Sequence, residues 1–116
     1  MELLKDVINI IDDVRGNDIV CFDMNGISPF YQYVVICSGS SDRQTNAIMS
    51  HLRDYYLKNK LSVRVEGKDS GKWVLVDLGE IIVNIFLPEE REYFQLEKLW
   101  LDIPKVDVES LIRENV

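Results

Sequence analysis

Between Glu2 and Arg15 the apolar residues Leu3, Leu4, Val7, Ile8, Ile10, Ile11 and Val14 recur at helical spacing, which predicts an amphipathic, core-facing helix. Gly16 stands where a left-handed cap would close it. Asp18 to Met24 then reads as a strand, Asn25-Gly26 as a turn, and Tyr33 to Cys37 as a second strand after a loop broken by Pro29, giving a first hairpin. Ser41 followed by Gln44 is a capping-box pattern, and the helix it opens runs to about Lys60 with Ile48, Leu52, Tyr55 and Tyr56 on one side. Leu61 to Glu66 makes a short strand and Gly67 to Lys72 a polar loop. Pro88 suits the first turn of a helix that carries Glu89, Glu90, Tyr93, Leu96 and Trp100 and ends before Pro104. Asp107 is placed to cap a last short helix bearing Val108, Leu111 and Ile112.

The most informative stretch is Gly71 to Phe86, two strands joined by a tight Leu78-Gly79-Glu80 turn. Trp73 and Leu75 point one way and Val74, Val76 and Leu78 the other; on the return strand Ile81, Val83 and Ile85 oppose Ile82 and Phe86. A solvated hairpin would alternate apolar with polar, whereas this one is apolar on both faces and needs cover on both. The element order is helix, two strands, helix, three strands, helix. It predicts an α+β (α/β) domain with a mixed five-stranded sheet, in which the passage from residue 33 to 66 is a right-handed parallel crossover. So short a chain has helices enough for one sheet face but not for two, so the uncovered face is expected to bind something.

With 116 residues and 47% hydrophobic content the chain makes one domain with one real core. Its formal charge of −7 is the wrong sign for a protein that gains affinity by neutralising phosphates, and favours a basic partner instead. The N-terminus carries Glu2 and Asp6 where a signal peptide would be apolar, and no apolar run approaches the roughly 18 residues of a membrane span, so a cytoplasmic, membrane-free protein is expected. Cys21 and Cys37 lie inside apolar strands and read as buried reduced thiols.

Catalytic chemistry is sparse. His51 is the only histidine and sits on a polar helical face beside Ser50, a surface residue rather than a general base. Glu89, Glu90, Glu92 and Glu97 read as a solvated face whose first-turn acids favour the helix dipole, and not as a metal site. Gly39-Ser40-Ser41 before a helix resembles the entry of nucleotidyltransferases, in which a following strand carries two carboxylates one residue apart to hold two metals. That second half is missing: Asp54 has Tyr56 two residues on, Glu66 lies between Arg64 and Lys68, and Asp77 between Leu75 and Gly79. A nucleotide-binding enzyme therefore stands as the alternative, and no catalytic residue, metal ligand or cofactor is assigned.

Asp12-Asp13, Asp18-Ile19-Val20, the run Val35 to Gln44, Glu66-Gly67, the run Trp73 to Glu80 and the run Arg91 to Trp100 occur in the order found in the ribosomal silencing factor, or Iojap, family, which this chain resembles over about residues 3–104. The resemblance implies a non-enzymatic factor of nucleotidyltransferase-like fold. It implies binding to the large ribosomal subunit through ribosomal protein L-fourteen, a steric block to joining of the small subunit, and lowered translation when nutrients are short. It also implies homodimers. An acidic domain steered to a basic ribosomal protein, with little direct RNA contact, agrees with the −7 charge. Asn84 departs from the pattern, since many members carry His there in the last strand. The segment 105–116 extends past the matched region, and its apolar stripe either packs on the core or mediates self-association.

Trp73, Leu75, Asp77, Leu78, Glu80 and Tyr93 are the residues expected at the partner contact. Trp73 is the anchor, with a core role as its alternative. Asp77 and Glu80 are rim acids, and the alternative for Asp77 is that its side chain only shapes the turn.

Overall fold

The computed structural model describes residues 2–113. Helix α1 (Glu2–Asp13) is followed by β1 (Asn17–Asp23), β2 (Tyr33–Ser38), α2 (Asp42–Lys58), β3 (Arg64–Glu66), β4 (Trp73–Asp77) and β5 (Ile81–Phe86). Helix α3 (Pro88–Phe94), a 3₁₀ turn (Leu96–Trp100) and α4 (Val108–Arg113) complete the chain. The five strands form one mixed sheet in the order β1-β2-β5-β4-β3. β2 and β5 are parallel and every other neighbouring pair is antiparallel. The chain leaving β2 through α2 does return in the same direction, but to the far edge of the sheet at β3. The parallel partner of β2 is β5, a six-residue strand buried along nearly its whole length, as a central strand covered on both faces is.

One face of the sheet carries Cys21, Val35, Cys37, Val74, Val76, Ile81, Val83 and Ile85 against Leu4, Val7, Ile8 and Ile11 of α1 and Ile48, Met49, Leu52 and Tyr56 of α2. The spacing of those helical residues is one stripe per helix, and burying each large side chain contributes about 1.5–3 kcal/mol. Helix α2 starts as expected: the Ser41 hydroxyl accepts the N–H of Gln44 at 3.1 Å. The Gln44 side chain does not complete a capping box. Its Nε2 donates to the carbonyls of Val14 and Arg15 at 2.7 and 3.1 Å and so ties α2 to the end of α1.

The cap of α1 corrects the sequence reading. Arg15, not Gly16, takes the left-handed conformation (φ 62°), with Arg15 N–H bonded to Asp12 O and Gly16 N–H to Ile11 O. Gly16 is glycine for another reason, since a Cβ there would lie 2.4 Å from Cγ2 of Ile11.

The expected single helix from Pro88 to Trp100 is also two pieces. Gln95 is left-handed (φ 46°, ψ 48°), ends α3 and starts the 3₁₀ turn. At about 100° per residue, a continuous helix would set Phe94 and Leu96 on opposite sides. The break lets Phe94 meet Trp73 while Leu96, Trp100 and Ile103 fold onto Phe22, Met24, Val34, Ile36 and Phe86 on the second sheet face.

The C-terminal segment packs on the core. Val106 N–H bonds to Cys21 O and Asp23 N–H to Pro104 O, which covers the β1 edge, and Val108, Leu111 and Ile112 of α4 join the helix-side core. The Asp107 side chain caps α4 by accepting the N–H of Ser110 at 3.2 Å.

Candidate docking face

On the second sheet face the 3₁₀ turn packs over Phe22, Met24, Val34, Ile36 and Phe86. Beside it, Trp73 and Leu75 of β4 and Ile82 of β5 remain half-buried and form an apolar floor. Trp73 is held from three sides. Its ring stacks on Phe86 (centroids 4.8 Å apart, 29° between planes), Phe94 lies 4.9 Å away, and the indole N–H donates to Asn84 Oδ1 at 3.0 Å. Trp73 is thus neither a core residue nor a free one. A fixed aromatic with one side presented outward loses little conformational freedom on binding. Tyr93 continues the aromatic row: it is 80% exposed and meets Phe94 edge-on at 5.0 Å.

The other end of the floor is polar. The strand register sets Asp77 between Arg64 and Ile82, and Leu75 between Glu66 and Asn84. Asp77 Oδ1 accepts the N–H of Gly79 at 3.0 Å and Oδ2 accepts the hydroxyl of Tyr31 at 3.4 Å. Asp77 therefore does shape the turn, in which Gly79 adopts φ 91°, and it also lines the open face. Burial first, and the Asp77 charge second, raise the pKa of Tyr31 above its usual value, so the phenol stays a donor. A shallow cavity of about 200 Å³ lies among Tyr31, Arg64, Glu66, Leu75, Asp77 and Ile82.

Of the six expected contact residues, the structure brings Trp73, Leu75 and Asp77 onto one face and links Tyr93 to them through Phe94. Leu78 is elsewhere: it is buried in the helix-side core, as the alternation of β4 requires. The side chain of Glu80 is exposed at the turn, while its carbonyl accepts the N–H groups of Gln32 and Tyr33. Sequence reasoning missed Phe94, Tyr31 and Asn84 as parts of the face. Asn84 carried a signal, because a polar residue in an apolar central strand needs a buried partner, and the Trp73 N–H two positions away diagonally is a donor in need of one.

The other candidate groups serve the fold. Glu97 is not on the solvated acidic face; its Oε1 accepts Arg91 Nε at 2.8 Å, and Arg91 Nη1 donates to Ser38 Oγ at 2.8 Å, pinning α3 and the 3₁₀ turn to β2. Gly39 is required by packing, since a Cβ would sit 2.9 Å from the Thr45 backbone N. His51 is exposed. Cys21 and Cys37 are buried and free, and burial pushes both thiols up to about 12. Among the described residues no three His, Cys, Asp or Glu side chains converge as metal ligands would, and no helix is long and apolar enough to cross a membrane.

The model of the family described as ribosomal silencing factor during starvation matches residues 1–116, the C-terminal segment included. A ribosomal silencing factor of Bacillus subtilis is 44% identical over 108 residues, covering 92% of each chain. One of Halalkalibacterium halodurans is 38% identical over 112 residues, covering 96% of each. A crystal structure of a Bacillus halodurans protein superposes with a TM-score of 0.82 at 37% identity, covering 91% of this chain and 97% of that one, so the α+β fold is shared. A family model spanning the chain, relatives this similar over nearly their whole length and a shared fold agree: the chain belongs to the ribosomal silencing factor family.

Proposed function

We propose that this protein is a non-enzymatic, cytoplasmic factor that docks on the large ribosomal subunit through ribosomal protein L-fourteen and thereby sterically blocks association of the small subunit. The observation that carries the reading is the half-covered second sheet face, where a fixed Trp73 stands among Leu75, Ile82 and Phe94 with Tyr93 at its edge. A desolvated aromatic anchor surrounded by lesser contacts is the usual energetic centre of a protein interface. Asp77 and Glu66 at the polar end of the face, in a chain of net charge −7, suit a basic protein partner better than exposed RNA.

What supports the absence of catalysis is the chemistry of the residues. Asp77 is engaged by Tyr31 and Gly79 and paired across the sheet with Arg64, and no strand face carries two acids one residue apart. The test is sedimentation of the purified protein with separated subunits, alongside pull-down with isolated L-fourteen. Co-sedimentation with the large subunit alone, together with capture by L-fourteen, is expected. Failure of both, or magnesium-dependent consumption of labelled nucleoside triphosphates that Asp77→Ala abolishes, overturns the proposal. Homodimers of the free protein are proposed on the family resemblance alone.

A further inference from the structure

Asn84 stands in the middle of the open sheet face. Its neighbours there are Ile36 and Leu75 across the ladder and Ile82 and Phe86 along β5, and none of these side chains can accept or donate a hydrogen bond. Its one side-chain partner is the indole of Trp73, and that bond fixes how the amide lies. An indole nitrogen only donates, so the Asn84 atom 3.0 Å from it is the oxygen, and Nδ2 is turned away from Trp73.

Nδ2 is a donor without an acceptor. Among the described residues Asn84 makes no side-chain hydrogen bond besides the one from Trp73. Its nitrogen is not sealed in the core either, because the one side-chain polar atom there that is both buried and unpartnered is Asn46 Oδ1 of α2. Asn84 is 4% exposed and its side chain lies on the second sheet face, so Nδ2 reaches solvent through a small opening in the apolar floor. A partner that covers this floor removes Nδ2 from water, and a buried amide donor costs affinity unless the partner brings an acceptor.

The acceptor that fits is uncharged. Glu66 and Asp77 line the hollow beside Leu75, and Glu66 also borders the hollow between Trp73 and Leu75, so an anionic group would be repelled. A protein segment laid over Trp73, Leu75 and Ile82 buries its own main chain, and every main-chain carbonyl it buries needs a donor.

We propose that Asn84 determines specificity at the docking face: Nδ2 donates to a main-chain carbonyl of the protein partner, while Oδ1 holds the Trp73 anchor. This contact rests on the docking reading above and is the polar centre of that face. One amide thereby ties the position of the anchor to that of the partner backbone, and it selects against a partner that offers an anion or no acceptor at this point.

A double-mutant cycle with purified large subunits separates the two halves of the amide. Trp73→Phe keeps an aromatic anchor and removes the indole donor, so in that background Asn84 has nothing left to hold. Asn84→Leu is expected to weaken sedimentation with large subunits at least about five-fold in the native background and again in the Trp73→Phe background, the range of one hydrogen bond. Circular dichroism checks each fold. No further loss in the Trp73→Phe background would make Asn84 a support for Trp73 alone and overturns the proposal, as does native-background binding that Asn84→Leu leaves unchanged. Failure of the unmodified protein to sediment with large subunits overturns the docking reading and this contact together, so the two failures are distinct. Should Asn84→Leu fail to fold, Asn84→Asp at pH 8 decides the matter, since an ionised carboxylate offers the indole an acceptor but has no proton for the partner. It should keep the hydrogen-bonded shift of the Trp73 indole N–H in the free protein and still weaken binding at least about five-fold, although its added charge alone favours a basic partner. Binding equal to or tighter than that of the unmodified protein overturns the proposal.

Discussion

The two faces of the one sheet are built from nearly the same residue types and end in different states. On the helix-covered face Val74, Val76, Val83 and Ile85 are fully buried under two amphipathic helices. On the opposite face, the same two strands leave Trp73, Leu75 and Ile82 half-buried, because the cover there is smaller: a five-residue 3₁₀ turn with Ile103 over Phe86 and its neighbours, and Phe94 of α3 against Trp73. Apolar character thus stabilises the fold on one side and is kept as contact surface on the other. Two strands with alternating pleat suffice to separate these roles, since one residue step moves a side chain from core to interface.

The sharpest way to break this comparison is to truncate one leucine on each side. Leu52→Ala, in the core, is expected to lower stability by about 2–5 kcal/mol, while Leu75→Ala costs under about 1 kcal/mol. Urea unfolding of both variants measures the difference, and equal losses would show that the second face is ordinary core.

Next in size is Trp73→Glu. It should weaken large-subunit binding by about 2 kcal/mol or more. Its stability cost is smaller, because the residue is only half-buried, although the Phe86 and Phe94 contacts and the Asn84 bond are lost. Circular dichroism checks the fold and sedimentation the binding. A folded variant that still sediments with the large subunit removes Trp73 as the anchor.

Alkaline pH sharpens the comparison from the core side. Cys21 and Cys37 are raised from 9.0 to about 12 in the folded state. Their folded pKa lies above the unfolded one, so the stability they contribute is fully present below pH 9 and is lost as pH rises from 9 toward 12. The slope should be negative, at most about 1.4 kcal/mol per pH unit for each thiol. Urea titrations at pH 8 and pH 10.5 read it, and Cys37→Ala should flatten it. Stability that is level across this range contradicts the burial of the thiols.

The smallest effect expected is that of reversing charge at the turn, Asp77→Lys with Glu80→Lys. Each exposed pair with a basic partner is worth about 0.2–1 kcal/mol, so association should slow at low salt and its salt dependence flatten, well short of the Trp73→Glu loss. Part of any stability change belongs to the turn, because Asp77 holds Gly79 N–H. Association of the unmodified protein that is indifferent to salt would remove charge steering from the account.

Much of this was legible in the sequence because it rests on period alone. The stripes of α1 and α2, the doubly apolar hairpin and the shortage of helices for a second face all follow from spacing, and the side on which Trp73 and Leu75 lie follows from the pleat. What was not legible depends on tertiary choice. Nothing local announces that Gln95 turns left-handed; the break appears only once Phe94 and Leu96 must both reach the same sheet face. Leu78 is among the expected contact residues, yet its parity with Val74 and Val76 places it in the core. Glu97 was lost among neighbouring acids, since only the fold brings Arg91 between it and Ser38.

The most direct test of the central claim is the rate and extent of subunit joining, followed by light scattering after mixing purified small and large subunits with the large subunit preincubated with this protein. The account predicts that joining falls in proportion to the occupied large subunits, and that Trp73→Glu at the same concentration restores it. Undiminished joining when the unmodified protein is bound at saturation would contradict it.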